Sequence, residues 1–76
     1  MERSDLIKAM DHAFRSLEEG CIYRNVITDI EKILIEKTLN TTGGNQILAS
    51  RILGLNRNTL RAKIKKHHIV MEKFKL

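Results

Sequence analysis

With 76 residues the chain makes one domain, near the lower limit for a core of its own, and a second copy or a larger parent protein would add burial. Its apolar fraction of 42% and charged fraction of 30% exclude a disordered chain, and no apolar run is long enough to span a membrane or to resemble a signal peptide. The net charge of +5 is unevenly distributed along the chain. Residues 1–40 carry six Lys/Arg against eight Asp/Glu, whereas residues 41–76 carry eight Lys/Arg against one acid, Glu72. The basic second half indicates a polyanionic partner.

The first forty residues predict two helices. Ser4 is a candidate N-cap, apolar residues follow at helical spacing, and Gly20 ends the first helix. The second helix is expected from Cys21 or Ile22 to about Asn40, and its 3.6-residue spacing favours a helix over a strand. Its apolar stripe is broad enough to bury two faces and comprises Ile22, Val26, Ile27, Ile30, Ile33, Leu34 and Leu39, to which Ile35 adds. Cys21, the only cysteine, is expected to be a small buried residue in a reducing cytoplasm.

Two shorter helices are predicted after the stop signal at Gly43 or Gly44. Asn45 is the expected cap of the third, and five of its side chains are expected to face inward: Ile47, Leu48, Ala49, Ile52 and Leu53. Gly54 closes this helix, and Asn56 caps a fourth that buries Leu60 and Ile64. The tail through Phe74 is expected to pack in part.

The third and fourth helices are separated by only about three residues, with Gly54 at the junction. Two short helices joined by a glycine-containing turn form a helix-turn-helix, and the small Ala49 and Ser50 allow close approach. Combined with the basic second half of the chain, this spacing predicts binding to DNA rather than a merely solvated basic helix.

A helical wheel divides the fourth helix into two faces. With Leu60 at the core, Asn58, Ala62 and Lys65 lie opposite it, so long donors surround a small residue on the outer face. The side chains expected to read bases are Arg57, Asn58 and Arg61. Those expected to contact phosphates are Thr59, Lys63, Lys65 and Lys66, together with Asn45 at the start of the third helix.

The segment "TGGNQILASRILGLNRNTLRAKIKK", residues 42–66, resembles the Fis-type helix-turn-helix of the nucleoid protein Fis and of NtrC-family sigma-54 activators. The similarity extends upstream through "YRNVITDIEKILIEKTLN", residues 23–40. The resemblance implies a homodimer whose first two helices form an intertwined four-helix bundle, while two helix-turn-helix units enter successive major grooves of a pseudo-palindromic site and often bend it. It also implies base contacts by Asn56 and Arg57, phosphate contacts by Asn45 and Thr59, and contacts to either by Arg61, Lys65 and Lys66.

The expected organisation is therefore residues 1–40 for dimerisation and residues 41–76 for DNA binding within one all-α domain. The expected dimer interface comprises Leu6, Met10, Phe14, Leu17, Val26, Ile30, Ile33 and Leu34. Because Fis has a β-hairpin segment before its helices and nothing here corresponds to it, the C-terminal domain of an NtrC-type activator is favoured over a stand-alone, DNA-bending Fis-like protein. In such an activator a separate ATPase domain would act on the sigma-54 RNA polymerase, and the location would be cytoplasmic and nucleoid-associated.

Some positions depart from the family pattern. Ile47 and Leu48 stand where polar or basic residues are frequent, which puts one phosphate contact in doubt, and Ala62 stands where lysine is frequent, which would weaken non-specific affinity. Ser50 replaces a usual alanine and is small enough to fit.

Other classes of function fit less well. No enzyme, cofactor or metal site is predicted, because the only histidines, His12, His67 and His68, belong to no catalytic or ligand spacing, and "HH" is expected to be solvated. A helical protein-interaction module would explain the first two helices but not the basic half. RNA binding lacks aromatic residues on the basic face, and a membrane-surface helix would need a larger apolar face than Leu60 and Ile64 provide.

Overall fold

The computed structural model of the chain describes residues 3–16 and 19–74. Within these ranges it contains four α-helices and one turn of 3-10 helix: α1 (Arg3–Ser16), α2 (Ile22–Thr41), α3 (Gln46–Leu53), α4 (Arg57–Lys66) and the 3-10 turn Met71–Phe74. No described residue is in a strand, so the predicted all-α fold with four helices is confirmed. None of these helices is both long and apolar enough to cross a membrane.

The chain divides into two compact units, Met1–Ile33 and Leu34–Leu76. The boundary falls inside α2, seven residues before the division expected between residues 40 and 41. The division into two units reflects compactness, whereas the predicted division between residues 40 and 41 separated dimerisation from DNA binding. The assignment of residues 1–40 to dimerisation therefore stays a prediction.

The start of α1 differs from the expectation. Arg3 is already helical, so Ser4 lies inside α1, and the prediction that it caps the helix is wrong because a cap residue must be non-helical. Asp5 still lies in the first turn, where a negative charge interacts favourably with the helix dipole. Gly20 adopts the left-handed region (φ +82°) in the turn before α2, and Cys21 is half-buried rather than buried.

The described part of the first unit buries mainly small side chains. Ala9 and Ala13 are the buried apolar residues there, with 5% and 2% of their surface exposed. Large apolar side chains of the same unit are exposed to a considerable degree: Ile7, Met10, Phe14, Tyr23 and Ile27. On α2 the broad stripe is only half-buried at Ile22, Val26, Ile30 and Ile33. Within a single chain this unit therefore leaves much of its apolar surface in water.

The second unit contains the main core. Its three largest fully buried side chains are Ile35, Leu39 and Leu60. Ala49, Ile64, Ile69 and Phe74 complete the cluster, and Leu53, Leu55 and Met71 pack against it. Full burial of one such large aliphatic side chain contributes about 1.5–3 kcal/mol, so these residues dominate the stability of the unit. The predicted burial of Leu39, Leu60 and Ile64 and the packing of the tail are confirmed.

The inward face of α3 is not the predicted one. Ile47, Leu48 and Ile52 are 50%, 41% and 59% exposed, so the expectation that they face inward is wrong. The less exposed positions of α3 are Gln46, Ala49, Ser50 and Leu53, which recur at i, i+3, i+4 and i+7. Ser50 satisfies its buried hydroxyl locally by donating a hydrogen bond to the carbonyl oxygen of Ile47, at 2.7 Å. Hydropathy alone misassigned the face because a serine and a glutamine lie on the inner side.

Glycine allows the turn after α2. Gly43 and Gly44 have φ values of +62° and +85°, and the Gly44 N–H bonds to the Leu39 carbonyl oxygen at 2.9 Å. A Cβ on Gly44 would also lie only 3.3 Å from the carbonyl oxygen of Phe74. Both the backbone conformation and the close approach of the tail therefore favour glycine here.

The tail after α4 returns to the core of the second unit. Ile69 and Phe74 are buried, and Lys73 forms an ion pair with Glu36, with Nζ and Oε2 2.7 Å apart. Both partners remain partly exposed, so the apolar contacts of Ile69 and Phe74 contribute more to holding the tail than this ion pair does.

Candidate nucleic-acid interface

The helix-turn-helix is formed by α3, a three-residue turn and α4. Gly54 ends α3 in the left-handed conformation (φ +73°), and its N–H bonds to the carbonyl oxygen of Arg51 at 3.2 Å. Leu55 then donates to the carbonyl oxygen of Ser50 at 2.9 Å and packs against the core. This is the Schellman-type ending in which an apolar residue after the glycine folds back. The turn predicted around Gly54 is therefore confirmed.

Asparagine caps both helices of the motif, as predicted. The Asn45 Oδ1 accepts a hydrogen bond from the backbone N–H of Leu48 at 3.0 Å, and the Asn56 Oδ1 accepts from the N–H of Asn58 at 2.8 Å. Such caps stabilise a helix start by about 1 kcal/mol. Since the Asn56 Oδ1 accepts this bond, the Nδ2 of Asn56 supplies the donors that remain for a base.

The two faces of α4 divide as the helical wheel predicts. Leu60 and Ile64 are 0% and 8% exposed and anchor the helix to the core. The exposed residues of α4 are Arg57, Asn58, Thr59, Arg61, Ala62, Lys65 and Lys66. Lys63 is half-buried, and Asn45 and Asn56 are exposed at the two helix starts. The structure thus brings the predicted DNA-contacting residues to one motif, while their contacts with DNA stay a prediction.

The charge of α4 has one sign along its length. The segment "RNTLRAKIKK" contains no acidic residue, and its last turn carries Lys63, Lys65 and Lys66. Cations in the last turn interact favourably with the carbonyl end of the helix. Arg57 instead lies in the first turn, where the helix dipole gives no support to a cation. A polyanion lying along this helix would meet positive charge from its first turn to its last.

A cleft of about 400 Å³ lies beside α4 in the second unit. Its walls are formed by Gln46, Arg61, Ala62, Ile64, Lys65, His68 and Ile69. Arg61 and Lys65 were predicted for the interface, whereas Gln46 and His68 were not. The sequence signal for Gln46 was its position directly after the Asn45 cap, and no local signal indicated that His68 turns back toward α4.

The two adjacent histidines lie in different surroundings. His67 is 7% exposed, so the expectation of a solvated pair is wrong for this residue, whereas His68 is exposed. The left-handed backbone of His68 (φ +54°) reverses the chain between them. Among residues 3–16 and 19–74 no group of three His, Cys, Asp or Glu side chains is placed to hold a metal ion.

Comparison with known proteins identifies the family. The profile described as "Bacterial regulatory protein, Fis family" matches residues 26–67, which include the helix-turn-helix and much of α2. The chain belongs to the Fis family. Its helix-turn-helix is accordingly a DNA-binding one of the type found in transcriptional regulators.

Relatives of two kinds are similar to this Fis-family chain. It is 52% identical over 44 residues to the DNA-binding transcriptional regulator NtrC of Azospirillum brasilense, an alignment that covers 58% of this chain and 9% of that protein. It is 38% identical over 71 residues to a Fis-like DNA-binding protein of Pseudomonas aeruginosa, covering 90% of this chain and 68% of the relative. The DNA-binding protein Fis of Proteus mirabilis is 39% identical over 68 residues, with 86% and 69% covered.

These alignments differ in their extent. The chain spans less than a tenth of NtrC but about two thirds of the Fis and Fis-like relatives. Both kinds share the helix-turn-helix, so membership of the family does not distinguish a regulator domain from a stand-alone protein. No solved structure matches the chain.

Proposed function

We propose that the chain binds double-stranded DNA sequence-specifically as a homodimer and serves as the DNA-binding part of an NtrC-type, sigma-54-dependent transcriptional regulator. The observation that carries this proposal is the division of α4, in which Leu60 and Ile64 are buried while Arg57, Asn58 and Arg61 are exposed. A helix anchored in this way presents long hydrogen-bond donors from a fixed position, as major-groove recognition requires.

The exposed residues take two roles in this proposal. Arg57, Asn58 and Arg61, with the Nδ2 of Asn56, would contact base edges, because the start of a recognition helix enters the groove. The remaining candidates would contact phosphates and set the register on the duplex: Asn45, Thr59, Lys63, Lys65 and Lys66. Ala62, exposed between them, leaves room for α4 to approach the base edges.

Homodimerisation is proposed from the apolar surfaces of α1 and α2. Met10 and Phe14 on α1 are 41% and 52% exposed, and Leu34 on α2 is 44% exposed. Leu6, Val26, Ile30 and Ile33 are half-buried, and a second copy would cover what remains of their surface. Leu17, the other proposed interface residue, lies outside the described residues. Two copies would present two α4 helices to a pseudo-palindromic site.

Two kinds of parent protein fit this chain. The NtrC assignment is supported by 52% identity over 44 residues, and it implies a cytoplasmic protein that meets the sigma-54 polymerase through a separate ATPase domain. The alternative, a stand-alone Fis-like protein that bends DNA, is supported by alignments over 86–90% of the chain. Either way we propose a binding role without catalysis. The length of the native gene product decides between the two.

Duplex titration over a salt series tests the central claim. Binding should weaken linearly in log K against log[salt], because each neutralised phosphate releases counterions with a slope of about −0.9. Sedimentation of the free protein should give a dimer. If no duplex binds at low salt, DNA binding is rejected and the alternative function, a helical protein-interaction module, is favoured. If the free protein is a monomer, only the proposed dimer is rejected.

Two substitutions on α4 separate base reading from phosphate contact. Arg57→Ala should lose about 1–3 kcal/mol of discrimination between the preferred site and other duplexes, because one bidentate donor is removed. Lys66→Ala should weaken all duplexes about equally and make the salt slope shallower by about 1 per subunit. Both residues are exposed, so folding should not change. Equal loss on all duplexes for Arg57→Ala would remove it from the base-reading set.

A further inference from the structure

The tail after α4, residues 68–74, lies beyond the part of the chain that the family profile matches. That match ends at residue 67, whereas the tail continues through the buried Ile69 to the 3-10 turn Met71–Phe74. Phe74 is 7% exposed and belongs to the same core cluster as Ile35 and Leu39 of α2. Membership of the family therefore assigns no role to a segment that the core nevertheless holds.

Phe74 lies against the turn between α2 and α3. A Cβ on Gly44 would lie 3.3 Å from the Phe74 carbonyl oxygen and 3.5 Å from the Phe74 Cβ, so the backbone of the turn and that of the tail approach closely. Lys73 forms its ion pair with Glu36 of α2, and its Nζ lies 5.2 Å from the centre of the Phe74 ring. The tail thus contacts the turn and is also fixed to the end of α2.

The turn that Phe74 contacts carries the cap of α3. Asn45 directly follows Gly44, its N–H bonds to the carbonyl oxygen of Thr42 at 3.3 Å, and the Thr42 hydroxyl donates to the carbonyl oxygen of Asn45 at 3.1 Å. The Asn45 Oδ1 accepts from the N–H of Leu48, which leaves its Nδ2 as the donor for a phosphate oxygen. A displacement of this hydrogen-bonded turn would therefore move the Nδ2 of Asn45 together with the start of α3.

We propose that the tail is a positioning element for DNA binding, in which Phe74 holds the turn between α2 and α3 so that Asn45 reaches its phosphate. The apolar contacts of Phe74 supply the anchor, and the absence of a side chain at Gly44 allows the two backbones to approach. Phe74 touches no DNA in this proposal and acts through Asn45. The proposal rests on the proposed DNA-binding function and adds a determinant of affinity outside the helix-turn-helix.

A double-mutant cycle, measured on a duplex of about three helical turns, tests the coupling between the tail and the cap. Asn45→Gly removes the donor but keeps a tolerated capping residue, and it should weaken binding about fivefold per subunit. Phe74→Ala should weaken binding by about the same factor, because the same contact is lost. The double variant should lose no more than about tenfold, since a contact that is already removed cannot be lost again. An additive loss of about twenty-five-fold would overturn the inference.

Stability has to be separated from positioning, because Phe74→Ala opens a cavity in the core. Affinities are therefore compared under conditions where circular dichroism shows each variant to be fully folded, and Phe74→Val replaces Phe74→Ala in the cycle if the latter does not fold. Phe74→Leu keeps an apolar anchor and should bind within about twofold of the wild type.

Two controls separate the position of the turn from the general quality of the core. Ile35→Val removes one methylene from the same cluster and should bind duplex as the wild type does. Val70→Ala, at a 58% exposed position of the tail, should also leave the affinity unchanged. If Ile35→Val loses as much affinity as Phe74→Ala, the effect reports stability alone and the positioning role is overturned.

The salt dependence identifies the contact that the tail positions. Asn45 is neutral, so the slope of log K against log[salt] should be the same in Phe74→Ala as in the wild type. A slope shallower by about 0.9 per subunit would mean that the tail acts on a cation of α4, and it would overturn the route through Asn45. Unchanged binding by Phe74→Ala or by Asn45→Gly would overturn it as well. An absence of duplex binding by the wild type would instead reject the proposed function itself.

Discussion

The two compact units of this chain differ in how far their large apolar side chains are buried. In Leu34–Leu76 the large aliphatic side chains Leu39 and Leu60 are fully buried. In Met1–Ile33 the buried side chains of α1, among those whose burial is described, are two alanines, while Phe14 of the same helix is 52% exposed. The second unit thus completes its core within one chain, whereas the first keeps apolar surface that a partner would cover. This difference is why we propose that the second unit presents the helix-turn-helix to DNA and that the first contributes to assembly.

The largest expected effect concerns the core of the second unit. Leu60→Ala should lower the free energy of unfolding by about 2–5 kcal/mol, because it leaves a cavity at a fully buried position. Ile52→Ala, at a 59% exposed position on α3, is the matched control and should change it by less than about 0.5 kcal/mol. Urea denaturation at one protein concentration measures both. Similar losses would show that the exposed face of α3 is also covered.

Substitutions on the exposed apolar surface of the first unit should change the dimer dissociation constant more than the stability of a single chain. Phe14→Ala removes an aromatic surface that is half-covered in one chain, so a dimer should lose about 2 kcal/mol from its two copies. The dimer dissociation constant would then rise about thirtyfold. Lys8→Ala, exposed on the same helix, is the control and should leave the constant unchanged. Sedimentation equilibrium measures the constant, and unchanged assembly in Phe14→Ala would remove this surface from the interface.

The smallest effect sharpens the comparison within the second unit, which carries backbone strain despite its closed core. His68→Gly should raise the free energy of unfolding by about 0.5–1 kcal/mol. A non-glycine residue in the left-handed region costs about 1–2 kcal/mol, and the greater conformational entropy that glycine loses on folding offsets part of the gain from removing that cost. Gly54→Ala is the converse substitution, which places a non-glycine residue at a left-handed position and should lower the free energy of unfolding. Its Cβ would meet no atom within 4 Å, so any loss reports backbone strain alone. If His68→Gly destabilises the protein, the imidazole has a packing role.

Local chemistry made much of this fold predictable. Asn45 and Asn56 cap their helices with their own side chains, and Gly54 ends α3, because these arrangements depend on residues two to four positions away. The burial of Leu60 and Ile64 followed from spacing on a single helix. For this reason the bounds of α3, the start of α4, and the exposure of Arg57 and Arg61 on α4 could be predicted from the sequence.

Tertiary structure decided the features that depend on distant neighbours. Hydropathy selected Ile47, Leu48 and Ile52 for the inner face of α3, but close packing in the helix-turn-helix required the small Ala49 and Ser50 there instead. A cleft joining Gln46 to His68 forms only when the chain reverses after α4. The sequence by itself thus determined the asparagine caps, the glycine turn and the charge of the helix-turn-helix, since those are short-range hydrogen-bonding and steric effects. Which face is buried depended on the shape of the surface packed against it, and that was decided by the assembled core.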